Sequence, residues 1–218
     1  MLKFYYAPYS RAASIRWLLE ELEVEREEIH IDIRAEGGVP ESYRAIQPSK
    51  KVPAIKHDGV VITERAAISI YLADAFPQAG LAPAIGDPRR GRYLTWTVYA
   101  DSVFDPCLAS KAHGLTYQSG DYSFGLFDDM VANLERHFSD NEYAVGDRFT
   151  AADTQLASGV HYGLYVLPVL PKKKALLDYV ARIADRPAFR RAQERDTQEA
   201  RAMPFFQHLF RQQPKDQG

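Results

Sequence analysis

"QPSKKVPAIKHDGVVITERAAISIYLAD", residues 47–74, decides what kind of sheet the first part of the chain builds. Two short apolar runs flank His57-Asp58-Gly59, and Asp-Gly between strand-forming runs signals a tight hairpin. The following "ERAAISIYLADAF" reads as a helix. Upstream, LKFYY (2–6) reads as a strand, after which Ile15, Leu18, Leu19 and Leu22 fall at i, i+3, i+4 and i+7 on one helix face. REEIHIDI (26–33) alternates Ile29, Ile31 and Ile33 with Glu28, His30 and Asp32, as a half-buried strand does, and His30 reads as a solvent-side residue. A loop with Gly37, Gly38 and Pro40 leads to a short polar helix around Glu41 to Ile46. The order is β-α-β-α-β-β-α. An antiparallel hairpin after a βαβ unit separates this pattern from a fully parallel doubly wound sheet.

Beyond Phe76 the text changes. "PQAGLAPAIGDP" holds three prolines and two glycines in twelve residues, a linker composition. Strand alternation then stops and helical spacing takes over: Tyr93, Trp96, Ala100, Val103 and Phe104; Phe127, Val131, Leu134 and Phe138; Leu156, Val160, Leu164 and Leu167; Leu177, Val180 and Ala184. Expected boundaries are residues 1–77 for the α/β domain, 78–87 for the linker and 88–218 for an all-α domain. "TAAD", Thr150 to Asp153, matches the capping-box pattern ahead of an apolar run and reads as a structural helix start. Lys172 to Lys174 reads as a solvated helix start.

Composition narrows the function classes. At 218 residues and 46% apolar content the chain can build real cores. With 27 basic and 29 acidic residues interspersed, it offers no electrostatic case for nucleic acid or an anionic membrane. A lone cysteine, Cys107, excludes an internal disulfide framework and a cysteine-based metal site, and reads as a small buried packing residue. The six histidines include no i, i+4 pair, so no metal site is expected. There is no signal-peptide pattern and no apolar run of spanning length, so a cytoplasmic location is expected.

The turn from the first strand to the first helix carries Tyr5, Tyr6, Tyr9 and Ser10. A helix start offers unpaired N–H groups and the positive end of the dipole, so Ser10 either caps the helix or helps hold a reactive anion there.

Three stretches together resemble the cytosolic glutathione S-transferases: "YYAPYSRAASIRWLLEE" at the first turn, the quoted residues 47–74, and "YAVGDRFTAADTQLA" at 143–157. The resemblance covers essentially the whole chain. It implies a thioredoxin-like N-terminal domain, an all-α C-terminal domain, glutathione as co-substrate and a small-molecule electrophile as partner. It also implies a homodimer, with the first domain of one chain against the second domain of the other.

On matching positions the resemblance makes Pro53 a cis-proline that frees the Val52 N–H and C=O for the cysteinyl backbone of glutathione, an added-strand mode of peptide binding. Glu64 and Arg65 would hold the γ-glutamyl end, although Arg65 replaces the serine usual in the family. Lys50 and Lys51 would reach the glycine carboxylate. The family activates the thiol through a hydroxyl near the first helix: Ser10 is the first candidate, with Tyr5 or Tyr6 second. A thiol begins near pKa 8.5, and one charge-assisted hydrogen bond of about 1.5–3 kcal/mol lowers it by one to two units. No cysteine stands in this turn, which argues against thiol-disulfide chemistry. Tyr9, Phe104, Lys111, His113 and Tyr117 are the expected electrophile-pocket residues. Glutathione-dependent isomerisation or dehalogenation, and non-catalytic glutathione binding, remain open on the same scaffold.

Overall fold

The structure, a computed structural model, describes residues 1–210. Residues 211–218 of the expected helical domain lie outside the described residues. Strands β1 (Leu2–Tyr6), β2 (Arg26–His30), β3 (Ala54–His57) and β4 (Val60–Thr63) form one sheet in the order β2-β1-β3-β4. β1 pairs parallel with β2 and antiparallel with β3, and β3 pairs antiparallel with β4. That is the mixed sheet expected of a βαβ unit closed by a hairpin. Asp58 and Gly59 both take positive φ, 48° and 89°, in the mirror-image turn that matches the twist of a two-residue hairpin.

Leu2, Phe4 and Tyr6 of β1 point to the face covered by α1 (Ala13–Leu22) and α2 (Arg65–Ala75), where Ile15, Leu18, Leu19, Ile68 and Leu72 are buried. Tyr5 points to the other face, into a small cluster with Tyr43 and Ala54. The two faces follow from the period of two along a strand.

All described residues beyond the hairpin are helical or irregular. The chain runs through α3 (Arg90–Tyr99), a first π turn (Ala100–Phe104), α4 (Asp105–Ala112), α5 (Phe127–Asp140), α6 (Ala151–His161), a second π turn (Tyr162–Val166), α7 (Lys174–Ala184), α8 (Pro187–Ala202) and the short α9 (Gln207–Phe210). Thr150 and Asp153 form the expected capping box at the start of α6. Cys107 is buried, its Sγ facing the Phe124 carbonyl at 3.5 Å. Among the described residues no helix is long and apolar enough to cross a membrane.

Three expectations need correction. The second strand ends at His30 rather than Ile33, because the Asp32 carboxylate accepts the Arg34 N–H at 3.0 Å and turns the chain. Its polar side is not wholly solvent-facing: the Glu28 side chain is only 6% exposed and accepts from Arg16 and Arg26 at 3.0 and 2.8 Å. In α7 the buried stripe is Leu176, Tyr179, Val180 and Ile183, so Leu177 stands at its edge.

Candidate functional site

Register alone gathers three loops at one end of the sheet. Tyr5 pairs with Ala54, and Ala54 with Thr63, so the segments after β1, before β3 and after β4 leave from neighbouring points. They carry Tyr9-Ser10, Val52-Pro53 and Glu64-Arg65. Among the described residues five non-glycine residues take positive φ: Asp58 belongs to the hairpin turn and Glu23 to the end of α1, whereas Tyr9 (51°), Lys50 (55°) and Glu64 (66°) lie on these loops. Such backbone costs about 1–3 kcal/mol per residue and concentrates where surroundings enforce it for a purpose.

Ser10 is wired into the turn. Its Oγ donates to the Ala7 carbonyl at 2.7 Å and accepts the Ala12 N–H at 3.1 Å. The N-cap of α1 is Ala12, so Ser10 does not cap the helix as the sequence allowed; its hydroxyl braces the turn two residues ahead of the cap, near the helix's positive end. Tyr5 packs its ring 5.9 Å from Tyr43 on the opposite face of the sheet. Tyr6 lies under Arg16, with the guanidinium carbon 4.1 Å from the ring centroid, and burial pushes its phenol pKa up.

The Val52–Pro53 peptide is cis, and Pro53 is buried. Among the described residues no hydrogen bond engages the Val52 N–H or C=O. The residue before it is fixed on both sides: Gln47 Oε1 accepts the Lys51 N–H at 3.0 Å, and the Tyr43 hydroxyl donates to the Lys51 carbonyl at 3.1 Å. Gln47 and Tyr43 are both buried. Lys50 extends Nζ to the Val39 carbonyl at 3.0 Å and to Glu41 at 3.3 Å, while the Lys51 side chain is exposed.

Glu64 is exposed and occupies the N-cap of α2. Arg65 is only 7% exposed, and its guanidinium donates to Asp101 and, at 2.6 Å, to Asp105. Asp101 also accepts the Ala66 N–H at 3.0 Å, and Asp105 accepts from Arg11 Nε at 2.9 Å. Asp101 lies in the first π turn and Asp105 opens α4 four residues on, so the two carboxylates share one helix face. Arg65 is thus neither an ordinary exposed residue nor an unpaired cation.

Residues 1–74 match the family described as glutathione S-transferase, N-terminal domain. Over this segment the chain is similar to the glutathione S-transferases. Glutathione S-transferase 3 of Schizosaccharomyces pombe is 27% identical, aligned over 89% of this chain and 88% of the relative. Protein LigF of Sphingobium sp. is 26% identical over 91% and 95%. A solved sphingomonad glutathione S-transferase, complexed with glutathione, superposes with TM-score 0.74 at 28% identity, covering 89% of this chain and 98% of that one.

The expected electrophile-pocket residues have different surroundings. Tyr9 stays at the first turn, 37% exposed, with its ring edge-on to Phe206 at 5.2 Å. Phe104 is 1% exposed and packs on Gly159, where an added Cβ would lie 2.6 Å from the ring; it is core, not pocket wall. Lys111 sits 5.2 Å over Phe127, and His113 is exposed beyond α4. Tyr117 donates to the Gly125 carbonyl at 2.9 Å within a cluster with Tyr122 and Phe124.

Sequence reasoning passed over Arg11, Arg34, Asp196, Thr197 and Phe206, which surround the first turn. Arg11 follows Ser10 directly and stacks on Tyr162 at 4.7 Å. Arg34 donates Nη2 to the Tyr9 carbonyl at 3.2 Å and covers Phe206 at 4.6 Å. An arginine at a helix start, opposed by the dipole, was the available signal for Arg11. Asp196 and Thr197 gave none, because they lie far along the chain in a polar stretch.

Proposed function

We propose that the chain is a glutathione transferase that adds the glutathione thiolate to small hydrophobic electrophiles. The observation that carries this reading is the gathering of Val52, Glu64-Arg65 and Ser10 at one end of the sheet. An extended tripeptide can pair its cysteinyl main chain with the free Val52 N–H and C=O, as an added strand. Its γ-glutamyl carboxylate can meet the first N–H groups of α2 while Glu64 takes the ammonium.

The sulfur then falls beside the first turn. Ser10 Oγ rotates from the Ala7 carbonyl to the sulfur while still accepting the Ala12 N–H, and the α1 N-terminus and Arg11 supply positive potential. Ionisation makes the thiol a nucleophile at neutral pH, and the bound geometry converts attack into a positioned reaction. The C–S bond forms as the electrophile's leaving group departs with its electron pair, or as the π electrons of an activated double bond shift onto its electron-withdrawing group and a proton from water is taken up.

A specific observation also favours a non-catalytic reading: the Ser10 proton is already engaged by Ala7. Glutathione affinity by calorimetry together with ultraviolet thiolate absorbance on binding supports the transferase; affinity without that absorbance supports the binding protein. Product analysis with halogenated and isomerisable electrophiles separates conjugation from dehalogenation and isomerisation. The chain is further expected to form a two-fold homodimer, and a monomer by light scattering at micromolar concentration contradicts that expectation.

A further inference from the structure

Tyr9 immediately precedes Ser10 and holds a left-handed backbone, which a residue with a side chain keeps only when its surroundings enforce it. Each of its polar groups is engaged from elsewhere in the chain. Its N–H donates to Asp196 Oδ2 at 3.4 Å, its hydroxyl to Thr197 Oγ1 at 3.1 Å, and its carbonyl accepts from Arg34 at 3.2 Å.

Asp196 is itself pinned. Its Oδ1 accepts from Arg16 Nη1 at 2.7 Å, and Arg16, 1% exposed, also donates to Glu28 and Glu199. Along α8 the buried residues are Ala188, Ala192, Asp196 and Ala200, so one carboxylate interrupts a row of alanines packed on α1. A buried carboxylate in such a row is costly unless both of its oxygens have partners. Arg16 satisfies one oxygen, and the first turn takes the other.

We infer that Asp196 and Thr197 are positioning residues that clamp Tyr9 from α8 and so fix where Ser10 presents its hydroxyl to the glutathione sulfur. This rests on the glutathione reading above and adds a role for the helical domain in thiol activation. Without the clamp, Tyr9 can relax to negative φ and swing the following peptide, and displacements near an ångström matter for a hydrogen bond that must meet a sulfur.

The test compares Asp196→Ala with Glu199→Ala. Both remove a carboxylate that accepts from Arg16, but only the first removes the acceptor of the Tyr9 N–H. The readouts are the pKa of the bound glutathione thiol, from its ultraviolet absorbance against pH, and kcat and KM with a chromogenic haloarene. Asp196→Ala is expected to raise the thiol pKa by about half a unit or more, roughly threefold in thiolate population, and to lower kcat with KM for glutathione little changed. Glu199→Ala should stay near wild type in both. Equal effects of the two variants overturn the clamp, because the Arg16 pair would then account for everything. Should Asp196→Ala not fold, Thr197→Val decides: a raised thiol pKa supports the clamp and an unchanged one overturns it. A wild type that binds no glutathione overturns the functional reading and the clamp together. A wild type with normal thiolate formation, unaffected by every variant, overturns the clamp alone.

Discussion

The structural role of the Ser10 hydroxyl and the catalytic role proposed for it separate by measurement. As an acceptor for the Ala12 N–H it braces the turn ahead of α1, and its loss should cost about 1 kcal/mol, as for an ordinary intramolecular hydrogen bond. As a donor to sulfur it should hold the thiolate. Ser10→Ala is therefore expected to raise the bound thiol pKa by about one unit, or tenfold in thiolate population, while glutathione affinity changes only a few-fold. Tyr5→Phe is the control, since the Tyr5 ring packs on Tyr43 from the opposite face of the sheet. A pKa rise in Tyr5→Phe with none in Ser10→Ala reverses the assignment. For the γ-glutamyl end, Glu64→Ala should weaken glutathione binding in calorimetric titration more than it affects melting. Arg65→Ala should do the opposite. It leaves Asp101 and Asp105 facing each other without their shared cation, for a loss on the order of 2 kcal/mol. That is below the 3–5 typical of a fully buried pair, because the carboxylates are 29% and 19% exposed. The opposite ranking would mean that the Arg65 guanidinium, not the helix start, recognises the carboxylate.

At the scale of elements, α6 depends on the carboxylate at its third position. Asp153 accepts the Thr150 and Ala144 N–H groups, each at 2.8 Å, and the Tyr179 hydroxyl at 3.0 Å. Asp153→Ala removes acceptors from three buried donors and should destabilise by roughly 3 kcal/mol or more in denaturant melts. Gly159→Ala, lower on the same helix, forces a methyl against Phe104 and should cost about 1–3 kcal/mol despite the better helix propensity of alanine. Either variant melting like wild type would contradict this packing. The capping box, the hairpin and the order of strands were legible because each has a local chemical signature. α8 was not. Its buried stripe is alanines and one aspartate, which periodicity of large apolar residues does not reveal, and its partner is α1, far away in sequence. The candidate site divides the same way. Val52, Glu64 and Ser10 sit on local motifs, whereas the ties that position Tyr9 and Arg65 come from α8, the first π turn and α4. Phe104 was misjudged because a helical aromatic spacing cannot distinguish a pocket wall from a core contact.

For the molecule as a whole, α1, β2 and α8 meet around Arg16, and that junction titrates. Burial pushes the Asp196 pKa up to about 6, against the pull of Arg16 and with Glu199 and Glu28 adding repulsion. Between the unfolded value near 3.9 and about 6 the folded chain binds more protons than the unfolded chain, so this group's contribution to stability falls as pH rises through that window. The change is roughly 3 kcal/mol, at about 1.4 kcal/mol per unit. Asp153, also raised to about 6 by burial, adds a slope of the same sign. Melting midpoints measured from pH 4 to 6.5 should therefore show a shallower fall in Asp196→Asn than in wild type; parallel curves would place the titration elsewhere. The central claim is that glutathione lies across the end of the sheet with its sulfur at the first turn, and a crystal structure of the chain with glutathione tests it most directly. The account predicts cysteinyl main-chain bonds to Val52, the γ-glutamyl end at the start of α2 beside Glu64, and the sulfur within hydrogen-bonding distance of Ser10 Oγ. A sulfur directed at the Tyr5 hydroxyl, or glutathione bound away from Val52, would contradict it.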